Sequence, residues 1–157
     1  RRHPMQLPQV NYLAVLVAGI VLFLLGGLWY SPALFAKRWI ALQGRTEEQM
    51  RADAARSNMP VMYLLALICA LIIAWAMAVL ANPFVPAAFT TAGNWIWRGV
   101  KLGVFCWFGF VLPTTYATAL FSMKPKQLWL IDAGYNLVSF ILAGAIIMGW
   151  TGMTAHY

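Results

Sequence analysis

The sequence predicts an all-α integral membrane protein: a four-helix bundle with a short interfacial and cytoplasmic helical segment between spans one and two. Three observations predict it. Apolar residues make up 62% of the 157 and charged residues 10%, with a mean hydropathy of +0.73; an ordinary soluble domain is about 45–50% apolar and about 25% charged. A water-soluble globule of this size has too little interior to hide so much apolar surface. The apolar residues also fall in four runs, near 10–30, 59–81, 95–121 and 127–150. Each meets or exceeds the ~20 residues that a helix needs to cross ~30 Å of hydrocarbon. Finally, the runs lack the in–out alternation of a β-barrel strand, and backbone groups cannot go unpaired in lipid, so each run must be helical. A soluble enzyme, a disordered tail and a nucleic-acid-binding domain are excluded. The chain reads as one transmembrane domain, 1–157, without an internal repeat.

The connections follow in order. Ser31 and Pro32 read as the N-cap and first-turn pair of a new helix after span one. That helix, near 32–43, carries Leu34, Phe35, Trp39 and Leu42 with Lys37 and Arg38, and reads as an imperfect amphipathic helix in the interface. Gly44 breaks it, and Thr46-Glu47-Glu48-Gln49 has capping-box spacing for a short polar helix to about Arg56, with Glu47 and Arg51 at i,i+4. Asn58 and Pro60 open span two; Asn82, Pro83 and Pro86 end it. Lys124-Pro125-Lys126 makes the tight turn between spans three and four. Pro113 is expected to free a carbonyl and kink span three.

Four spans place both termini on one side. The loops at 31–58 and 122–126 carry seven basic residues and the termini side carries four, so the basic bias predicts cytoplasmic loops and termini outside the cytoplasm. The net charge of +7 then orients the chain against anionic lipid. Tyr12, Trp29, Tyr30, Trp95, Trp97, Trp129 and Trp150 fall near span ends, where aromatic anchors belong. Trp29, Tyr30, Ser31, Pro32 and Trp39 are the expected interface anchors, and Lys37 and Arg38 the basic segment. The first run is too long, and lacks the small-residue cleavage site, for a removable signal peptide. Cys69 and Cys106 lie in apolar runs and read as small buried hydrophobes. His3 and His156 are both terminal, and no spacing suggests a metal site.

Association within lipid needs close packing and interhelical hydrogen bonds. Three strips of small residues answer that need: Ala66, Ala70, Ala74 and Ala78; Gly99 and Gly103; Ser139 and Ala143. They read first as packing within the chain and second as a dock for another subunit.

Asp132 is the one acid inside a span. An ionised Asp at a helix centre costs about 2.5–3.5 kcal/mol, less near the interface, so it needs a partner, a proton or water. Tyr135, Asn136 and Ser139 share its helix face, and Thr114, Thr115 and Tyr116 lie at matching depth on span three. The expectation is a polar intramembrane cluster of these residues. Its structural reading is glue, with Asp132 bonded to Tyr or Thr or paired with Arg38. Its functional readings are proton or ion movement and, last, acid–base chemistry, for which no nucleophile, second carboxylate or ligand set is present.

Gly26-Gly27-Leu28-Trp29-Tyr30-Ser31-Pro32, then Phe35, Trp39 and Thr46-Glu47-Glu48, resembles the opening of a bacterial four-span membrane family catalogued as domain of unknown function number 1761, and Ala133-Gly134-Tyr135 with Trp150 resembles its close. The resemblance implies no activity. It implies that an amide is tolerated at the position of Asp132, against an obligatory carboxylate or metal role. The expected function is therefore non-catalytic, with no cofactor: an inner-membrane accessory or scaffold subunit partnered by lipid and by another membrane protein or itself, and not by nucleic acid. The alternative is a small dimeric transporter or channel using Asp132.

Overall fold

The computed structural model describes residues 10–81 and 95–154, with side chains described to residue 150. All the regular structure there is helical: α1 (Tyr12–Trp29), α2 (Ala36–Leu42), α3 (Glu47–Arg56), α4 (Met59–Leu80), α5 (Trp95–Cys106), a π-helical turn (Trp107–Val111), α6 (Leu112–Phe121) and α7 (Lys126–Thr154). Four stretches are long and apolar enough to cross a membrane: Tyr12–Trp29, Met59–Leu80, Trp95–Phe121 and Lys126–Trp150. The protein is a multi-pass membrane protein, and the four runs seen in the sequence are its spans. His3, His156, Asn82, Pro83 and Pro86 lie outside the described residues.

Local chemistry sets the ends. Asn11, not singled out by its sequence context, caps α1 by accepting N–H bonds from Leu13 and Ala14 at 3.1 and 3.0 Å. Thr46 and Gln49 form the expected capping box on α3, and Asn58 caps α4 through the Val61 N–H, with Pro60 in the first turn. Gly44 takes a positive φ of 69° after α2.

The Ser31–Pro32 expectation is corrected. Ser31 Oγ donates back to the Leu28 carbonyl at 2.7 Å, so it finishes α1 and does not cap α2. Residues 31–35 form turns instead, with Phe35 N–H bonded to Trp29 O at 3.2 Å. The Phe35 ring lies 4.9 Å from Trp29, and α2 begins only at Ala36. Ring packing at the end of α1 folds the chain back before a helix can restart.

α7 is the hub: α5 packs on it most extensively, then α1, while α4 lies against α1 and along α7. The core is built of small residues, with Ala14, Ala18, Ala74 and Ala143 wholly buried around Leu22, Met77 and Cys106. Ala70, Ala74 and Ala78 are buried within the chain, whereas Ala66, on the same strip, is exposed. Cys69 also faces outward, a correction to its reading as buried; it sits one residue before Ala70, about 100° round the helix from the alanine strip. Both cysteines are free.

The α5–α7 crossing is made by missing side chains. A Cβ on Gly99 would collide with the Gly144 carbonyl oxygen, and one on Gly144 with the Gly99 carbonyl oxygen; a Cβ on Gly103 would strike Phe140 O. The Gly99–Gly103 pair is thus a glycine-at-four-spacing motif spent inside the chain, backbone against backbone.

Candidate functional site

The early turns of α7 collect the molecule's polar contacts. Asp132 is the seventh residue of α7, roughly 9 Å along the helix at 1.5 Å per residue. Three successive residues there each accept an indole N–H. Trp29 Nε1 donates to Ile131 O at 3.1 Å, Trp39 Nε1 to Asp132 Oδ1 at 3.0 Å, and Trp107 Nε1 to Ala133 O at 3.0 Å. The Tyr30 hydroxyl donates to the same Asp132 Oδ1 at 2.8 Å. The donors come from α1 and its end, from α2 and from the π-helical turn, so one short stretch of α7 ties three elements together. The Tyr30 ring meets Trp39 edge to face and Tyr135 at a tilt, with centroids at 5.2 and 5.5 Å.

Asp132 Oδ1 therefore takes two neutral donors, while no described residue donates to its second oxygen. Arg38 does not pair with it: its guanidinium donates to Gln127 Oε1 at 2.8 Å, at the exposed start of α7. Lys37 is exposed.

Across from Asp132, span three leaves α7. Pro113 has no N–H to return to the carbonyl four residues back, and Leu112 N–H bonds Trp107 O, five residues back, closing the π turn. α6 touches α7 far less than α5 does. Trp129 fills the wedge, donating to Thr115 Oγ1 at 3.2 Å and meeting Tyr116 edge to face, with ring centroids 4.8 Å apart.

The threonines expected to bond Asp132 bond their own helix instead. Thr114 Oγ1 donates to Phe110 O at 2.5 Å, Thr115 Oγ1 to Val111 O at 2.7 Å and Thr118 Oγ1 to Thr114 O at 2.9 Å. The helix supplies acceptors one turn away, closer than any reach across the wedge. Tyr116 sits on Trp129, away from Asp132. Asn136 donates to the Asp132 main-chain oxygen at 2.9 Å, not to its carboxylate. Tyr135 reaches towards Leu22 O at 3.5 Å. Ser139 is buried, and its hydroxyl has no hydrogen-bond partner.

What the wedge leaves is a cavity of about 290 Å³, lined by Thr114, Thr115, Thr118, Ala119, Lys124, Trp129 and Asp132. The structure brings Asp132, Thr114 and Thr115 to one cavity and leaves Tyr116 and Ser139 outside it. Sequence reasoning missed Trp107, which lies far from any span end, and Lys124, which reads as a turn residue. Among the described residues no three His, Cys, Asp or Glu side chains come together as a metal site.

The family model described as "Protein of unknown function (DUF1761)" matches residues 13–148, and the chain belongs to that family. No curated protein and no solved structure matches the chain.

Proposed function

We propose that this protein is a non-catalytic accessory or scaffold subunit of a larger assembly in the bacterial inner membrane, with both termini outside the cytoplasm. One observation supports the reading: Tyr30 and Trp39 hold the end of α1 and α2 on Asp132 of α7, and α2 leads into α3, a mostly polar helix that the described residues leave largely exposed. α3 has no buried residue. It supports itself through its capping box, the Arg45–Asp53 ion pair and the Glu47–Arg51 pair at 3.6 Å. A mostly polar helix needs such local support to stand alone, and a helix of this kind suits bridging through solvent to another body. Exposed Lys37 and Arg38 beside it suit anionic lipid.

The transporter reading draws on the cavity beside Asp132. Beyond it, α5 and α7 close backbone to backbone at Gly99 and Gly144, an arrangement that supports a fixed body over a moving one.

The test is the mass of the particle released from native membranes by a mild detergent. A complex well above the 17.5 kDa protomer, reduced to the lone chain by the double charge reversal R51E/R56E on α3, is the expected result. A monomer without companions from unmutated membranes would overturn the proposal.

A further inference from the structure

We infer that the cavity between α6 and α7 binds a small zwitterion with a primary ammonium at one end and a phosphate at the other, the ammonium towards Asp132 and the phosphate towards Lys124. The chemistry of the lining carries this. Each of Thr114, Thr115 and Thr118 has spent its hydroxyl proton on a carbonyl of its own helix. What remains on those oxygens is lone pairs, and Thr115 has already accepted the Trp129 N–H. Asp132 adds a carboxylate with one oxygen left without a donor from any described residue. That part of the cavity is a wall of acceptors, and its complement is a cation with several N–H donors.

Lys124 lines the same cavity, yet it forms no ion pair with Asp132 within 4.0 Å. Its charge disfavours a bare metal cation and favours a ligand that carries an anion at the far end. Asp132 disfavours an anion alone. A quaternary ammonium has no N–H to offer the acceptors. The volume of about 290 Å³ is at the small end of ligand sites, which run from about 300 to 1,000 Å³, and fits a polar headgroup better than a bulky molecule. The site also lies where Phe121 and Lys126 end spans three and four, at the level of a bilayer surface. Ethanolamine phosphate is the simplest species of this class, free or as the headgroup of a phospholipid.

The test uses the full chain in detergent and native mass spectrometry. Dioleoyl phosphatidylethanolamine and dioleoyl phosphatidylcholine are titrated in parallel, and soluble O-phosphoethanolamine is titrated with thermal unfolding as the readout. The expected result is about tenfold preference for the primary amine over the choline lipid, the loss of one charged hydrogen bond. Lys124→Ala should weaken both lipids several-fold, since both carry the phosphate, and Thr118→Val should erode the preference for the primary amine several-fold, both variants lying at exposed positions. Asp132→Asn should abolish it while keeping an oxygen for Tyr30 and Trp39. Stabilisation by soluble O-phosphoethanolamine with the same variant pattern, and no lipid preference, identifies the free zwitterion as the source. Equal retention of both lipids with no response to the soluble compound overturns the inference, as does stabilisation by sodium or potassium ions in its place.

Discussion

Spans three and four meet twice, and the two meetings are opposites. At α5–α7, Gly99, Gly103 and Gly144 bring backbone against backbone, and the crossing is tight. At α6–α7, the π-helical turn and Pro113 steer the helix away, Trp129 stands in the opening, and a polar cavity remains. In lipid no hydrophobic force pushes helices together. Contact is close where the backbone can approach, and where it cannot, hydrogen bonds from rigid rings take over. The difference separates the body of the molecule from the place where it can meet something small.

The sharpest way to break this contrast is Gly99→Ala. The new methyl meets the Gly144 carbonyl, which belongs to a helix backbone and cannot turn aside. Its cost should fall at the upper end of the about 1–3 kcal/mol of overpacked interiors, seen as a lowered midpoint in tryptophan-detected thermal unfolding. Gly109→Ala, where the methyl enters open space, should show no such loss. Equal midpoints for the two variants would mean that the crossing is looser than described.

Asp132→Leu tests the polar end. It strands the Tyr30 hydroxyl and the Trp39 indole, and should cost about 1–2 kcal/mol, since both donors are half-buried and partly regain water. The loss should appear locally, as faster hydrogen exchange in α2, while α5 stays protected. Asp132→Asn keeps an acceptor oxygen and should leave α2 as protected as before. A smaller effect is expected of Trp129→Phe. It keeps an aromatic ring in the wedge but removes the bond to Thr115 and part of the indole's bulk, so a loss of about 0.5–1.5 kcal/mol should follow in the same unfolding assay. A larger loss would exceed one neutral hydrogen bond and make the indole's bulk the main support of the cavity.

How much was legible depended on range. The run at 95–121 predicted span three to the residue, because hydrophobic length is a local property that the bilayer reads directly. The Thr46 capping box was equally local. Asp132 stood out as a group needing partners, but those partners lay about a hundred residues away, at Tyr30 and Trp39. On sequence alone both read as interface anchors, since an aromatic near a span end satisfies that role. The threonines of span three looked like partners at the right depth, and the helix's own carbonyls claimed them first. Ser31-Pro32 carried a capping signal that the Trp29–Phe35 ring contact overrode.

The helical state, the four apolar spans and the need of one carboxylate for company are written residue by residue, because apolar length and the cost of an unpaired charge are local properties. Which indoles reach α7, that Gly99 of span three meets Gly144 of span four, and that a cavity opens beside Asp132 emerge only once the helices pack. Those outcomes depend on how far two helices diverge after a π turn, a geometry that no single stretch of the chain encodes.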